Sequence, residues 1–159
     1  MKKRNSKYGF TMIEVSLVLA IGGLIFLMVF VALPALQRQA RDAQRREDMS
    51  TLITAIKNYQ RNNRGALPSG DWESALELYL DNGFEDPDGT AYDIKVFDCD
   101  GEGNAGACKG NEELEKADKY TVIINRGADC DGEISVKSAN GRKVAVQYKL
   151  EIGTYCGKS

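Results

Sequence analysis

The sequence predicts an α+β chain, with a long amino-terminal helix packed on a small antiparallel β-sheet head. Three observations carry this. An apolar run passes directly into an amphipathic stretch of helical period, and beyond it short alternating runs are separated by turn residues with no long helix between them. The third is that all four cysteines fall in the carboxy-terminal half, where they can staple a small head. The expected organisation is a basic leader over 1–9, a long helix over 10–64 and a disulfide-stapled head over 65–159. Within the helix, 10–37 is the apolar part and 38–64 the amphipathic part.

The leader carries Lys2, Lys3, Arg4 and Lys7 and no acid. From Val15 to Gln37 no residue is ionisable, 23 positions in all. As a helix this run extends about 35 Å against a hydrocarbon core of about 30 Å, which makes it a membrane span. An ordinary secretory signal has a shorter apolar core ending at a small-residue cleavage site. This run is longer and continues into a charged, helix-forming stretch, so it reads as retained. Glu14 is the anomaly: a carboxylate in the first turns of such a segment costs about 2.5 to 3.5 kcal/mol on insertion scales, which implies a partner. Gly22, Gly23 and Pro34 weaken regular helix inside the span, and kinks are expected there. Charge does not set the orientation, because Arg38, Arg41, Arg45 and Arg46 after the span rival the four basic residues of the leader.

Past the span, Met49, Leu52, Ile53, Ile56 and Tyr59 recur at intervals of three and four and mark one buried face. Arg41, Asp42, Arg45, Arg46, Glu47 and Asp48 form a charged collar before them, expected to be solvated. The stretch from Asn62 to Gly70 suits a helix end and a turn. A short helix follows, capped by Asp71, with Trp72, Leu76 and Tyr79 on one face and Asn82-Gly83 as its stop. Strands are expected at Tyr92–Phe97, at Tyr120–Asn125, more weakly at Glu133–Val136, and at Val144–Ile152, where alternation is almost unbroken.

Composition removes several function classes. The chain has no histidine, so chemistry that needs an imidazole base or ligand is excluded within it. From Phe10 onward 17 basic side chains face 23 acidic ones, a sum of −6 that offers no basic nucleic-acid footprint. No GxSxG elbow and no phosphate loop is present, and an enzyme is not expected. The four cysteines contain no CxxC pair and their spacing is wide, which favours disulfides over zinc. Three connectivities are possible. Cys99 with Cys108 and Cys130 with Cys156 is the favoured one, the first closing a local Gly-rich loop and the second tying the carboxy terminus to the body. Asp98, Asp100 and Glu102 place oxygen ligands at alternate positions between glycines, the spacing of a calcium loop, though the bidentate glutamate of an EF-hand is out of pattern. A solvated, disulfide-closed loop is the preferred reading of that stretch. Asp129, Asp131 and Glu133 form a second acidic cluster.

The basic leader, Gly9-Phe10-Thr11-Met12-Ile13-Glu14 and the long apolar run together resemble the class III signal of type IV pilins and of the pseudopilins of type II secretion. The resemblance implies cleavage between Gly9 and Phe10 by a prepilin peptidase and N-methylation of the new terminus on Phe10. It implies a single-pass precursor in the cytoplasmic membrane with its amino terminus inside. Polymerisation into an extracellular helical filament follows, driven by an inner-membrane assembly platform with its cytoplasmic ATPase. It also implies a partner for Glu14, the Phe10 amine of a neighbouring subunit, since both charges would otherwise be stranded in an apolar filament core. Tyr59, Asn63, Gly65, Leu67-Pro68 and the turn Asp86-Pro87-Asp88-Gly89 resemble the head of major pseudopilins, with Asp88 where an aromatic is common, so that the resemblance covers roughly the first 95 residues. Major pseudopilins bind calcium in a head loop, which lends that cofactor some support here. Tyr148–Cys156 looks like the cysteine-stapled last strand of some bacterial pilins. The expected function is therefore a structural pilin subunit, with a type II secretion pseudopilin as the alternative and a membrane-anchored, non-polymerising binding module as the alternative of a different class.

Overall fold

The computed structural model describes residues 9–80, 84–100 and 107–159. The leader's basic residues, the Asn82-Gly83 stop and Glu102 lie outside the described residues. Helix α1 (Met12–Asn62) is followed by α2 (Trp72–Leu76), a 3-10 turn (Glu77–Tyr79), β1 (Asp93–Asp98), α3 (Gly110–Lys116), β2 (Thr121–Arg126), β3 (Ala128–Asp131), β4 (Ile134–Lys137), β5 (Val144–Lys149) and β6 (Thr154–Lys158). The chain divides into two compact units, Met1–Gln39 and Ala40–Ser159. The division falls inside α1, because the apolar stripe after Ala40 belongs to the core of the second unit.

In the first unit α1 runs helical through Gly22, Gly23 and Pro34. Its apolar side chains are uncovered all round: Val18, Phe26 and Phe30 are 68, 69 and 71 % exposed. No part of the most apolar 18-residue window is buried within the chain. Such a surface needs lipid or other copies of the helix to cover it.

In the second unit Met49, Leu52, Ile53 and Ile56 of α1 share one core with Val122 and Ile124 of β2 and with Val144, Val146 and Tyr148 of β5. The principal sheet has the order β1-β2-β5-β6, antiparallel except that β1 and β2 run parallel. That departs from the all-antiparallel sheet expected, and the reason is the connection. The connection from β1 to β2 carries α3, and parallel neighbours need such a crossover of a dozen residues or more. The long alternating run ends at Lys149 instead of Ile152, because Gly153 adopts φ +83° and closes a turn in which Leu150 N–H donates to the Gly153 carbonyl at 3.0 Å. Two strands result where one was expected.

The sheet is also covered on its other side, by α3 and the β3–β4 pair, a layer that the sequence reading had only in part. Its centre is polar. Asn125 Nδ2 donates to Gln147 Oε1 and to Ser135 Oγ, both at 2.9 Å, while Asn111 exchanges hydrogen bonds with the Ser135 backbone at 2.8 and 2.9 Å. Asn125, Ser135 and Gln147 are all buried, and their pairing is what makes that burial tolerable. Gly110 has no room for a side chain, since a Cβ would lie 2.1 Å from Asn125 Oδ1; this lets α3 seat against β2. Cys99 is bonded to Cys108, and Cys130 of β3 to Cys156 of β6.

The charged collar is largely not solvated. Arg45, 4 % exposed, grips Asp86 through Nε and Nη2 at 2.6 and 3.1 Å. Its Nη1 reaches Asp42 at 3.2 Å and Glu151 at 3.3 Å. Asp42 in turn accepts the backbone N–H groups of Glu151 and Ile152, at 3.0 and 3.2 Å. Arg41 pairs with both oxygens of Glu151 at 2.7 and 3.1 Å and so holds that carboxyl below its ordinary range. Tyr92 donates to Asp48 at 2.8 Å, and the Tyr148 hydroxyl bonds the Lys119 carbonyl. Burial pushes both phenols up, which keeps them as donors. Only Arg46 and Glu47 of the collar stand fully in solvent. Asp88, the unusual turn residue, takes Lys119 Nζ at 2.7 Å and Tyr120 OH at 2.6 Å, which together hold it well below the usual carboxylate range.

Arg45→Ala leaves Asp42 and Asp86 buried without their cation. The unfolding free energy of the detergent-solubilised full chain is expected to fall by about 3 to 5 kcal/mol, read by urea titration through Trp72, the single tryptophan. A loss under about 1 kcal/mol, the worth of an exposed pair, would contradict this account of the network.

Candidate processing and assembly site

The start of α1 is built by a reciprocal cap. Thr11 precedes the first helical residue, Met12, and Glu14 is the third residue of the helix. Thr11 N–H and Thr11 Oγ1 donate to Glu14 Oε2 at 3.0 and 2.9 Å, and Glu14 N–H donates back to Thr11 Oγ1 at 3.3 Å. This is a capping box, in which two backbone donors that no carbonyl of the helix can reach are satisfied by two side chains. A carboxylate there also faces the positive end of the helix dipole. Glu14 thus finds two hydrogen-bond donors in its own chain, both on Thr11. The sequence signal for this cap is Thr-x-x-Glu ahead of an apolar run, in which only Glu14 was singled out.

Gly9 and Phe10 stand just outside the helix in non-helical backbone, Gly9 exposed and Phe10 89 % exposed. A Cβ on Gly9 would meet nothing within 4 Å, so packing inside the chain does not call for glycine there. The bond between them thus lies in exposed, non-helical backbone next to a fixed helix start. Gly22 and Gly23 also face open space, as an uncovered span allows.

The other singled-out residues are placed as follows. Asp98 is occupied by Arg126 Nη2 at 2.5 Å, and the Asp100 carbonyl by Lys137 Nζ at 2.6 Å. Among the described residues no group of three histidine, cysteine or acidic side chains gathers as a metal site. Asp129 of the second acidic cluster is held by Lys143 at 2.5 Å and by Lys158 at 2.9 Å. These ammonium groups keep its carboxyl well below the ordinary range, so it is already neutralised as an ion pair. Asp131 and Glu133 are exposed beside it.

Residues 4–30 match the family described as the prokaryotic N-terminal methylation motif. Neither the curated proteins nor the solved structures gave a match to the chain. The motif supports a type IV pilin-like or pseudopilin precursor, and with the apolar helix it fits a membrane-anchored one. It implies processing by a prepilin peptidase and entry into a pilus or secretion assembly.

Thr11→Ala removes the hydroxyl of the capping box, a change worth about 1 kcal/mol at a helix start. The Glu14 amide of the full chain in micelles is expected to exchange with solvent about fivefold faster, while amides beyond the second turn are unchanged. Equal Glu14 exchange in the two proteins would remove the cap from this account.

Proposed function

We propose that this chain is a structural subunit of a type IV pilus: cut between Gly9 and Phe10, N-methylated on Phe10, and polymerised into an extracellular filament whose core is the apolar half of α1. The observation that carries the reading is the methylation motif standing directly ahead of 23 residues with no ionisable side chain, on a helix left uncovered by its own chain. In the membrane lipid covers that surface. In a filament the same surface of neighbouring copies does so, which lets one segment serve as anchor and then as core. The second unit supports this use by burying Met49, Leu52, Ile53 and Ile56 of its own hydrophobic stripe and partly covering Tyr59, so that the span remains the one large uncovered apolar surface among the described residues.

Cleavage would create an ammonium on Phe10, adjacent to the capping residue Thr11. In the filament we assign Glu14 to the Phe10 amine of a neighbouring subunit. Both of its intramolecular bonds from Thr11 fall on Oε2, and a carboxylate has further acceptor sites. The cap would hold the carboxylate in place while the incoming amine supplies the countercharge. Pairing two ions that are both removed from water is worth far more than pairing them at a surface.

Mass spectrometry of the mature amino terminus is expected to begin at methylated Phe10; an intact Met1 or a cut near Ala35 would refute processing at this site. Sheared surface fractions are expected to contain fibres of this chain, and their absence under native expression, with processing intact, assigns it to a secretion pseudopilus or an anchor. Glu14→Gln retains the capping box but not the charge, so it is expected to insert and be cut normally yet yield at least tenfold fewer filaments, about 1.4 kcal/mol or more per docking step. Normal filament yield from that variant would remove the ion pair from assembly.

A further inference from the structure

The second unit carries a cleft of about 450 Å³ whose lining has four cations, Arg41, Arg45, Lys119 and Lys149, against two carboxylates, Asp88 and Glu151. At the lining itself that is a surplus of two positive charges, which Asp42 and Asp86 behind Arg45 offset. Its cations are unequally committed. Arg45 is buried and spent on Asp86 and Asp42, which lie behind the cleft. Arg41 is shared with Glu151 and Lys119 with Asp88. The side chain of Lys149, exposed at the end of β5, makes no hydrogen bond or ion pair among the described residues. Beside it the β5–β6 turn lifts Ile152 into solvent, 66 % exposed, although the turn itself is pinned by Asp42.

Arg41 is four residues beyond Gln37, where the ionisable-free run ends, and four residues reach at most about 14 Å. The cleft is thus tethered within headgroup distance of the bilayer surface whenever the span is inserted. An apolar side chain beside a cluster of cations at that level is the arrangement by which peripheral segments hold an anionic interface.

We propose that this cleft binds the phosphate of an anionic phospholipid headgroup in the membrane-inserted precursor, with Lys149 as the principal contact, Lys119 and the outer edge of Arg41 flanking it, and Ile152 set into the interface. The site would hold the second unit against the bilayer until the chain is extracted. It rests on the membrane-anchored reading above and adds a ligand to it.

The test uses the full chain in nanodiscs of phosphatidylcholine alone or mixed with phosphatidylglycerol. Lipid retained per protomer after gentle delipidation is counted by native mass spectrometry. The intact protein is expected to retain phosphatidylglycerol in preference to phosphatidylcholine, Lys149→Gln to lower that retention about fivefold, and Lys95→Gln, on β1 and outside the cleft, to leave it unchanged. Both lysines are exposed, and equal urea midpoints will confirm that both variants fold. Retention equal in Lys149→Gln and the intact chain overturns the proposal. So does displacement of the lipid by millimolar inorganic phosphate, which would make the cleft a site for free anions. Filament loss in Lys149→Gln with unchanged lipid retention also overturns it, assigning the cleft to a neighbouring subunit. Insertion is scored separately by co-purification with the nanodisc: failure to insert overturns the anchor and the lipid site together, whereas insertion without lipid preference sinks the lipid site alone.

Discussion

The Arg45 guanidinium joins three carboxylates that are far apart in sequence, Asp42 on the helix, Asp86 in the turn before β1 and Glu151 in the turn after β5. Hydrophobic packing brings α1 onto the sheet, but an apolar stripe of Met49, Leu52, Ile53 and Ile56 is tolerant of sliding by a turn. The charged network is not. Nε and Nη2 of the guanidinium grip Asp86 while Nη1 reaches Asp42 and Glu151, and moving the helix by 5.4 Å, about one turn, would leave several buried ions without partners. Burying such a network costs desolvation that an apolar replacement would avoid, so its use is better seen in register than in net stability. Tyr92 and Tyr148, packed edge to face at 5.4 Å, extend the same constraint, Tyr92 by donating to Asp48 and Tyr148 by bonding the Lys119 carbonyl.

This division of labour explains what could be read in advance. The buried stripe of α1 and the strands β2 and β5 announce themselves through period, because one face of each meets the same apolar core. The collar was misjudged because charge in a sequence says nothing of the acceptors that folding will bring to it: Asp86 and Glu151 lie 41 and 106 residues from Arg45. The second layer was obscured for a related reason. Its centre is Asn125, Ser135 and Gln147, polar side chains that look like surface until their mutual hydrogen bonds are seen. Short α3 and the parallel pairing that it enforces left only Glu-Glu-Leu-Glu-Lys as a local trace. At the far end, strict alternation ran on through Ile152 and disguised a turn that Gly153 makes possible.

Glu14 is tied to two levels of organisation at once. The capping box with Thr11 explains how a carboxylate can be borne at the head of an apolar helix, since it satisfies donors that would otherwise be unpaired in lipid and sits at the favourable end of the dipole. It does not explain why the residue should be charged. A glutamine at the same position would close the same box without the cost of an ion in hydrocarbon. The charge therefore requires something that a cap does not supply, a cation that arrives later. In the proposed filament, processing would supply one as the Phe10 amine of a neighbouring subunit, meeting the carboxylate where the cap already fixes it. In the proposed filament the cap and the ion pair would be successive uses of one side chain: the first positions Glu14 while the helix is in the membrane, and the second would give neighbouring helices a single register when they leave it.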